Sequence, residues 1–175
     1  MENSTDKEFL NECKNRIDSS FQRLYHCLDQ LDNNQIWWRP NEKMNSIGIL
    51  ITHTCGAFRQ WTITIMNNEE DVRDRPEEFI NNNKISKQEL LQFATKLKSD
   101  FITAINNLDP LRLMEQRRIQ GYDTTLMSAI FRALTHVEGH IGQIVLLTRI
   151  QLGNNYKIFW TPQTDEQRAE RKNKH

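Results

Sequence analysis

From Thr124 to Leu152 the chain reads TTLMSAIFRALTHVEGHIGQIVLLTRIQL, and its apolar residues return every third or fourth position. That period is helical. With His136 set at zero and about 100° per residue, Leu126, Ile130, Ala133, Val137, Ile141 and Ile144 form a stripe centred near 110°. Thr135, Glu138 and Arg149 fall on the far side. His136 and His140 stand one turn apart on the same shoulder of the stripe, roughly 6 Å from each other along the axis. Asp123 or Thr124 is placed to cap this helix and Gly153 to end it. An earlier segment, from Asn45-Ser46 through Met66, repeats the pattern. Ile47, Leu50, Ala57, Phe58, Trp61 and Ile65 form its stripe, and His53 sits on the shoulder. Each histidine is therefore expected at the rim of a core, half in and half out. Two imidazoles at i and i+4 can share one divalent metal, and a third from a neighbouring helix completes an open triad. His26 has no partner histidine at such spacing, and His175 is the last residue.

Two more helical segments complete the count. The first starts at a capping box, Thr5-Asp6-Lys7-Glu8, carries Phe9, Leu10, Ile17, Phe21, Leu24, Tyr25, Leu28 and Leu31, and stops at Asp32-Asn33-Asn34. Trp37-Trp38-Arg39-Pro40 then reads as an extended link. The other opens at a second capping box, Ser86-Lys87-Gln88-Glu89, carries Leu90, Leu91, Phe93, Leu97, Phe101, Ile102, Ile105 and Leu108, and is stopped by Asp109-Pro110. Between the second and third helices lies a charged loop from Glu69 to about Lys84. Residues 111–122 form a connector with a short extended piece around Arg118-Ile119-Gln120-Gly121. Four amphipathic helices and almost no strand signal predict an all-α, antiparallel-type four-helix bundle over residues 1–160, with a polar tail over 161–175.

Composition narrows the function. The 23 Lys and Arg balance the 23 Asp and Glu, so no basic field would gather nucleic acid or an anionic membrane surface. No apolar run approaches the roughly 20 residues of a membrane span. Cys13, Cys27 and Cys55 are odd in number and lack Cys-x-x-Cys spacing, which argues against a disulfide framework or a thiolate zinc site. With a polar, acidic amino terminus, the expectation is a reduced, cytoplasmic protein.

The residues also carry a family resemblance. Ser46-Ile47-Gly48-Ile49-Leu50-Ile51-Thr52-His53, then Gly56 and Arg59-Gln60-Trp61, then His136-Val137-Glu138-Gly139-His140-Ile141-Gly142-Gln143-Ile144 resemble the DinB/YfiT-like superfamily of metal-dependent four-helix-bundle proteins. The stretch from Tyr156 to Trp160 is similar to the ending of one of its uncharacterised subfamilies. The resemblance spans roughly residues 5–160. It implies that His53, His136 and His140 ligate a divalent metal, nickel or zinc, with water in the remaining positions. It also implies homodimers. Characterised relatives include transferases and isomerases that use low-molecular-weight thiols.

Three neutral imidazoles leave a metal its full charge, so a thiol or water beside it is strongly acidified. Two familiar metalloprotease patterns are excluded, because Val137 follows the first histidine and Gly139 precedes the second where each pattern needs Glu. Glu138 faces away and reads as a surface carboxylate or ion-pair partner. Gln60 and Gln143 lie on the histidine side, where each either orients bound water or a ring nitrogen or is an ordinary polar boundary residue. Arg59 reads as a packing or interface ion pair, and Cys55 points away from the site. Trp37, Trp38 and Trp61 are either core or the wall of a pocket. Two functions follow. One is a metal-dependent transferase or hydrolase acting on a small molecule, using a low-molecular-weight thiol. The other is a non-catalytic metal-binding or stress-related bundle that works through dimerisation or a partner.

Overall fold

Side-chain caps set where the helices begin. Ser46 accepts from the Ile49 amide, Ser86 from the Glu89 amide and Thr125 from the Ser128 amide, each at 3.2 Å. Glu89 returns the bond to the Ser86 amide at 2.7 Å and closes the expected capping box. These caps start α3 (Ile47–Arg59), α5 (Lys87–Asn107) and α6 (Leu126–Leu152). The cap of α6 is Thr125, the last residue of the hairpin strand in which Asp123 and Thr124 pair with Arg118 and Arg117. The structure, a computed structural model, describes residues 4–79, 84–160 and 164. The expected tail over 161–175, Thr164 apart, lies outside the described residues.

The first helix, α1 (Ser4–Asp29), already contains Thr5, so Thr5 is not its cap. Nor does Asp32-Asn33-Asn34 serve as its stop. Asp32 and Gln35 exchange side-chain-to-backbone bonds of 2.8 and 2.9 Å, which starts a short helix, α2 (Asn33–Trp37). Beyond Arg59, α3 runs on through a π turn, Gln60–Thr64, into α4 (Ile65–Asn67), and Asn68 at φ 59° ends it. Strands β1 (Gln116–Ile119) and β2 (Tyr122–Thr125) pair antiparallel around Gln120-Gly121, both at positive φ. They occupy the connector that was expected to hold a short extended piece.

The four long helical rods form a bundle in which α1 and α3 each pack against both α5 and α6. Side-chain pairs give their directions. Ser20 and Arg23 of α1 reach Glu138, and Gln151 reaches the Gln35 carbonyl just past α1, so α1 and α6 run parallel. Lys14 meets Asn106 and Lys98 meets Asp18, so α1 and α5 run antiparallel. His53 lies by His140, and Trp61 by Arg132, so α3 opposes α6. The order is up, down, down, up, and two neighbouring pairs are parallel where antiparallel packing was expected.

That order dictates the long loop. Parallel helices α3 and α5 cannot be joined by a tight turn, so the chain must travel back along the length of α3, roughly 30 Å. The contacts record this return: Glu69 bonds Arg59, Asp71 bonds Gln60, Arg73 and Glu78 reach His53, and Ile85 receives the Trp37 indole N–H at 3.0 Å. Covered by this crossover, α3 is buried on nearly every side, unlike the half-exposed rod its stripe suggested. The core is aromatic at its centre, with Phe58 and Phe101 edge to face at 4.7 Å.

Candidate metal centre

Helix spacing brings His136 and His140 together, and antiparallel packing delivers His53 opposite them. The ring centroids of His136 and His140 are 4.4 Å apart, and His53 lies 5.2 and 5.1 Å from them. One ring nitrogen from each falls within 4.8 Å of the other two, so this group could hold a metal ion. The Nε2 atoms of His136 and His140 are 3.2 Å apart, near the separation of roughly 3.3 Å that two nitrogens about 2.0–2.1 Å from a shared tetrahedral ion would have.

For His53 and His140, partners outside the triad set which nitrogen faces inward. Glu78 Oε2 lies 3.0 Å from His53 Nδ1, nearer than Arg73 Nη2 at 3.3 Å; a carboxylate can only accept, so with Nδ1 donating to it the free lone pair lies on Nε2 and Arg73 makes no hydrogen bond to the ring. Gln143 Oε1 plays the same part toward His140 Nδ1 at 3.1 Å. Arg73 holds Glu78 in turn, from Nε at 2.6 Å and Nη2 at 2.7 Å, and its Nη1 donates to Gln60 Oε1 at 2.7 Å. Gln60 also accepts from Gln120 at 2.7 Å, which ties the hairpin tip to the site. Burial alone would raise the Glu78 carboxyl; the bonds from Arg73 and His53 outweigh it and hold the group below the usual carboxylate range.

His136 and His140 are held toward the neutral form. Burial, followed by the fields of His140, His53, Arg73 and Arg132, pushes His136 down to about 4. Burial and His53 also lower His140, against the hydrogen bond it donates to Gln143. Neutral rings with inward lone pairs are what a divalent ion requires. His136 and His140 are half-buried as expected. His53 is buried instead, because Glu78 and Phe79 of the crossover close over it.

A cavity of about 210 Å³ opens beside His53 and His136, walled by Ala57, Trp61, Arg73, Arg75, Gln120, Arg132 and Ala133. The other residues singled out from the sequence lie apart from it. Glu138 is held by Ser20 and Arg23 on α1, and Arg59 pairs with Glu69 and Asp100. Cys55 is buried in the core, where burial pushes its thiol up to about 12. Trp37 packs on Gly48, and Trp38 is partly exposed.

Residues 4–165 match the family described as Protein of unknown function (DUF1572). The chain belongs to this family. Two solved structures share the fold of this DUF1572 chain. A DinB-like protein from Bacillus cereus matches with a TM-score of 0.65 and 15% identity, over 83% of this chain and 91% of that one. A DinB-like protein from Bacillus subtilis matches with a TM-score of 0.60 and 15% identity, over 92% of this chain and 100% of that one. The DinB-like resemblance of the sequence is thus met in the fold. No curated protein matches the chain. Among the described residues, no helix of the DUF1572 chain is long and apolar enough to cross a membrane.

Glu78 and Arg73 escaped the sequence reading. They sit in the charged crossover, where no periodicity relates a residue to a helix face. One signal was available: a loop too long for a simple turn, with acidic and basic residues interleaved, between the helix that carries one ligand and the rest of the chain.

Proposed function

We propose that His53, His136 and His140 hold one divalent metal, nickel or zinc, and that the chain uses it as a transferase or hydrolase on a small molecule. The attacking group in this reading is a low-molecular-weight thiol or water. The observation that carries it is the convergence of three histidines beside a cavity that, among the described residues, has no nucleophile of its own. Among the described residues, the walls of that cavity contain no cysteine, serine or carboxylate. Glu78 is engaged by Arg73 and His53, and the Cys55 thiol is buried and protonated. This favours a nucleophile brought in from outside the chain. When bound, the ion would acidify a thiol or water placed beside it. The protein's share is to fix the His53 ring through Glu78 and the His140 ring through Gln143, and to wall the cavity with Trp61, Ala57 and Ala133.

The test is purification without added metal, followed by metal analysis and a thiol-conjugation assay on a model electrophile. About one equivalent of metal is expected per chain, with none in the triple His53→Ala, His136→Ala, His140→Ala variant. Stoichiometric metal retained by that variant would falsify the ligand assignment. Bound metal with no acceleration across thiols and electrophiles would leave only a metal-holding bundle without turnover.

A further inference from the structure

We infer that the cavity beside the triad takes a small oxyanion, a carboxylate or phosphate on the substrate, held by the guanidinium groups of Arg75 and Arg132. The inference deepens the metal-dependent reading and rests on it only for the part the triad plays. It starts from charge. The chain is balanced overall, yet among the described residues three arginines and no acidic side chain wall this cavity. Arg73 is consumed by Glu78 and Gln60. Arg75 and Arg132 are not: among the described residues, neither guanidinium has an ion pair or a hydrogen bond. Arg23, Arg59, Arg112, Arg117 and Arg118 each have a carboxylate partner, and of the other described arginines without one, Arg16, Arg39 and Arg149, none walls this cavity.

What Arg75 and Arg132 have instead is an aromatic shelf. The Arg132 guanidinium lies 4.3 Å above the Trp61 ring, and that of Arg75 lies 5.0 Å above Phe79. Stacking occupies the flat face of a guanidinium and leaves its N–H edge free to meet an oxyanion in a two-pronged bond. Trp61 is itself buried, so the shelf under Arg132 is rigid. Ala57 and Ala133 stand where α3 and α6 face each other, and their small side chains leave the space open. At about 210 Å³ the cavity is below the roughly 300–1,000 Å³ of sites for drug-sized ligands, which favours a compact molecule. Such a molecule would lie with its charged group on the arginines and its remainder toward the histidines.

Isothermal titration of inorganic phosphate and, separately, succinate into chelator-treated and metal-reloaded protein tests this. Saturable one-to-one binding of either anion is expected, weakening as salt is raised. Arg75→Gln and Arg132→Gln should each weaken it about tenfold or more, and the double variant should abolish it. Arg112→Gln, remote and already paired, should leave it unchanged. Both cavity arginines are exposed, so these variants should keep the parent circular dichroism spectrum. Binding of phosphate alone or succinate alone supports the inference and names the oxyanion. Absence of saturable binding by both anions overturns it, as does unchanged affinity in the double variant. Metal content is measured on the same samples. Metal without anion binding sinks this inference alone, whereas anion binding without metal sinks the metal-dependent reading alone.

Discussion

Glu78 is the residue on which the geometry of the triad turns. It lies 25 positions beyond His53 in the chain, and its carboxylate fixes both the tautomer and the plane of that ring. Replacing such an outer partner usually lowers metal affinity by about 10–100-fold. Glu78→Gln is expected to fall in that range in a chelator-competition titration while the helical signal stays as it was. An unchanged affinity would mean that His53 is oriented by packing alone. Glu138, on the opposite face of α6, gives a separate test by pH. Burial would raise its carboxyl, but the bonds from Ser20 and Arg23 outweigh that and lower it. A carboxylate with a depressed folded-state pKa stabilises the fold fully above its unfolded value of about 4.3, and that stabilisation is lost as pH falls through the lower folded value. Glu138→Gln should lower the melting temperature by about 2–4 °C at pH 7, for a loss near 1 kcal/mol, and the two proteins should converge towards pH 3.

At the scale of elements, helices were legible in the sequence and their connections were not. Ser46 and Ser86 announce α3 and α5 because a cap is a local bond between near neighbours. The triad was legible for a related reason: i, i+4 spacing fixes His136 and His140, and a stripe places His53 facing a core. The direction of each rod was hidden, since stripes carry no polarity, and with it went the crossover and Glu78. Gly56 shows how closely the crossover lies on α3. A Cβ there would overlap the Glu78 carboxylate and come within 3.2 Å of Arg73 Nε. Gly56→Ala should therefore behave in two opposed ways. Helix propensity favours Ala by about 1 kcal/mol, while the displaced Glu78 lets His53 turn. We expect unchanged or higher helicity together with weaker metal binding; tight metal binding in this variant would argue that the crossover yields without disturbing the ring.

For the molecule as a whole, the core and the site rest on different residues. Ile17, Phe21, Phe58, Leu90, Phe101 and Leu126 are almost fully buried. Burial on this scale commonly supports about 5–15 kcal/mol of stability without a structural ion. Removing metal is expected to leave far-ultraviolet circular dichroism intact and to lower the melting temperature by several degrees, in proportion to the binding energy withdrawn. Wholesale loss of helix on chelation would make the ion structural. The parallel pairing of α1 with α6 also bears on how the chain is made. The last long helix lies against both the first and the second rod, so its partners wait through most of synthesis with their apolar faces uncovered. Contacts this distant along the chain slow folding and lengthen the time in which a nascent protein can aggregate or be held by a chaperone. His53 is translated 83 positions before His136, and the pocket comes into being only when α6 has left the ribosome and closed the bundle.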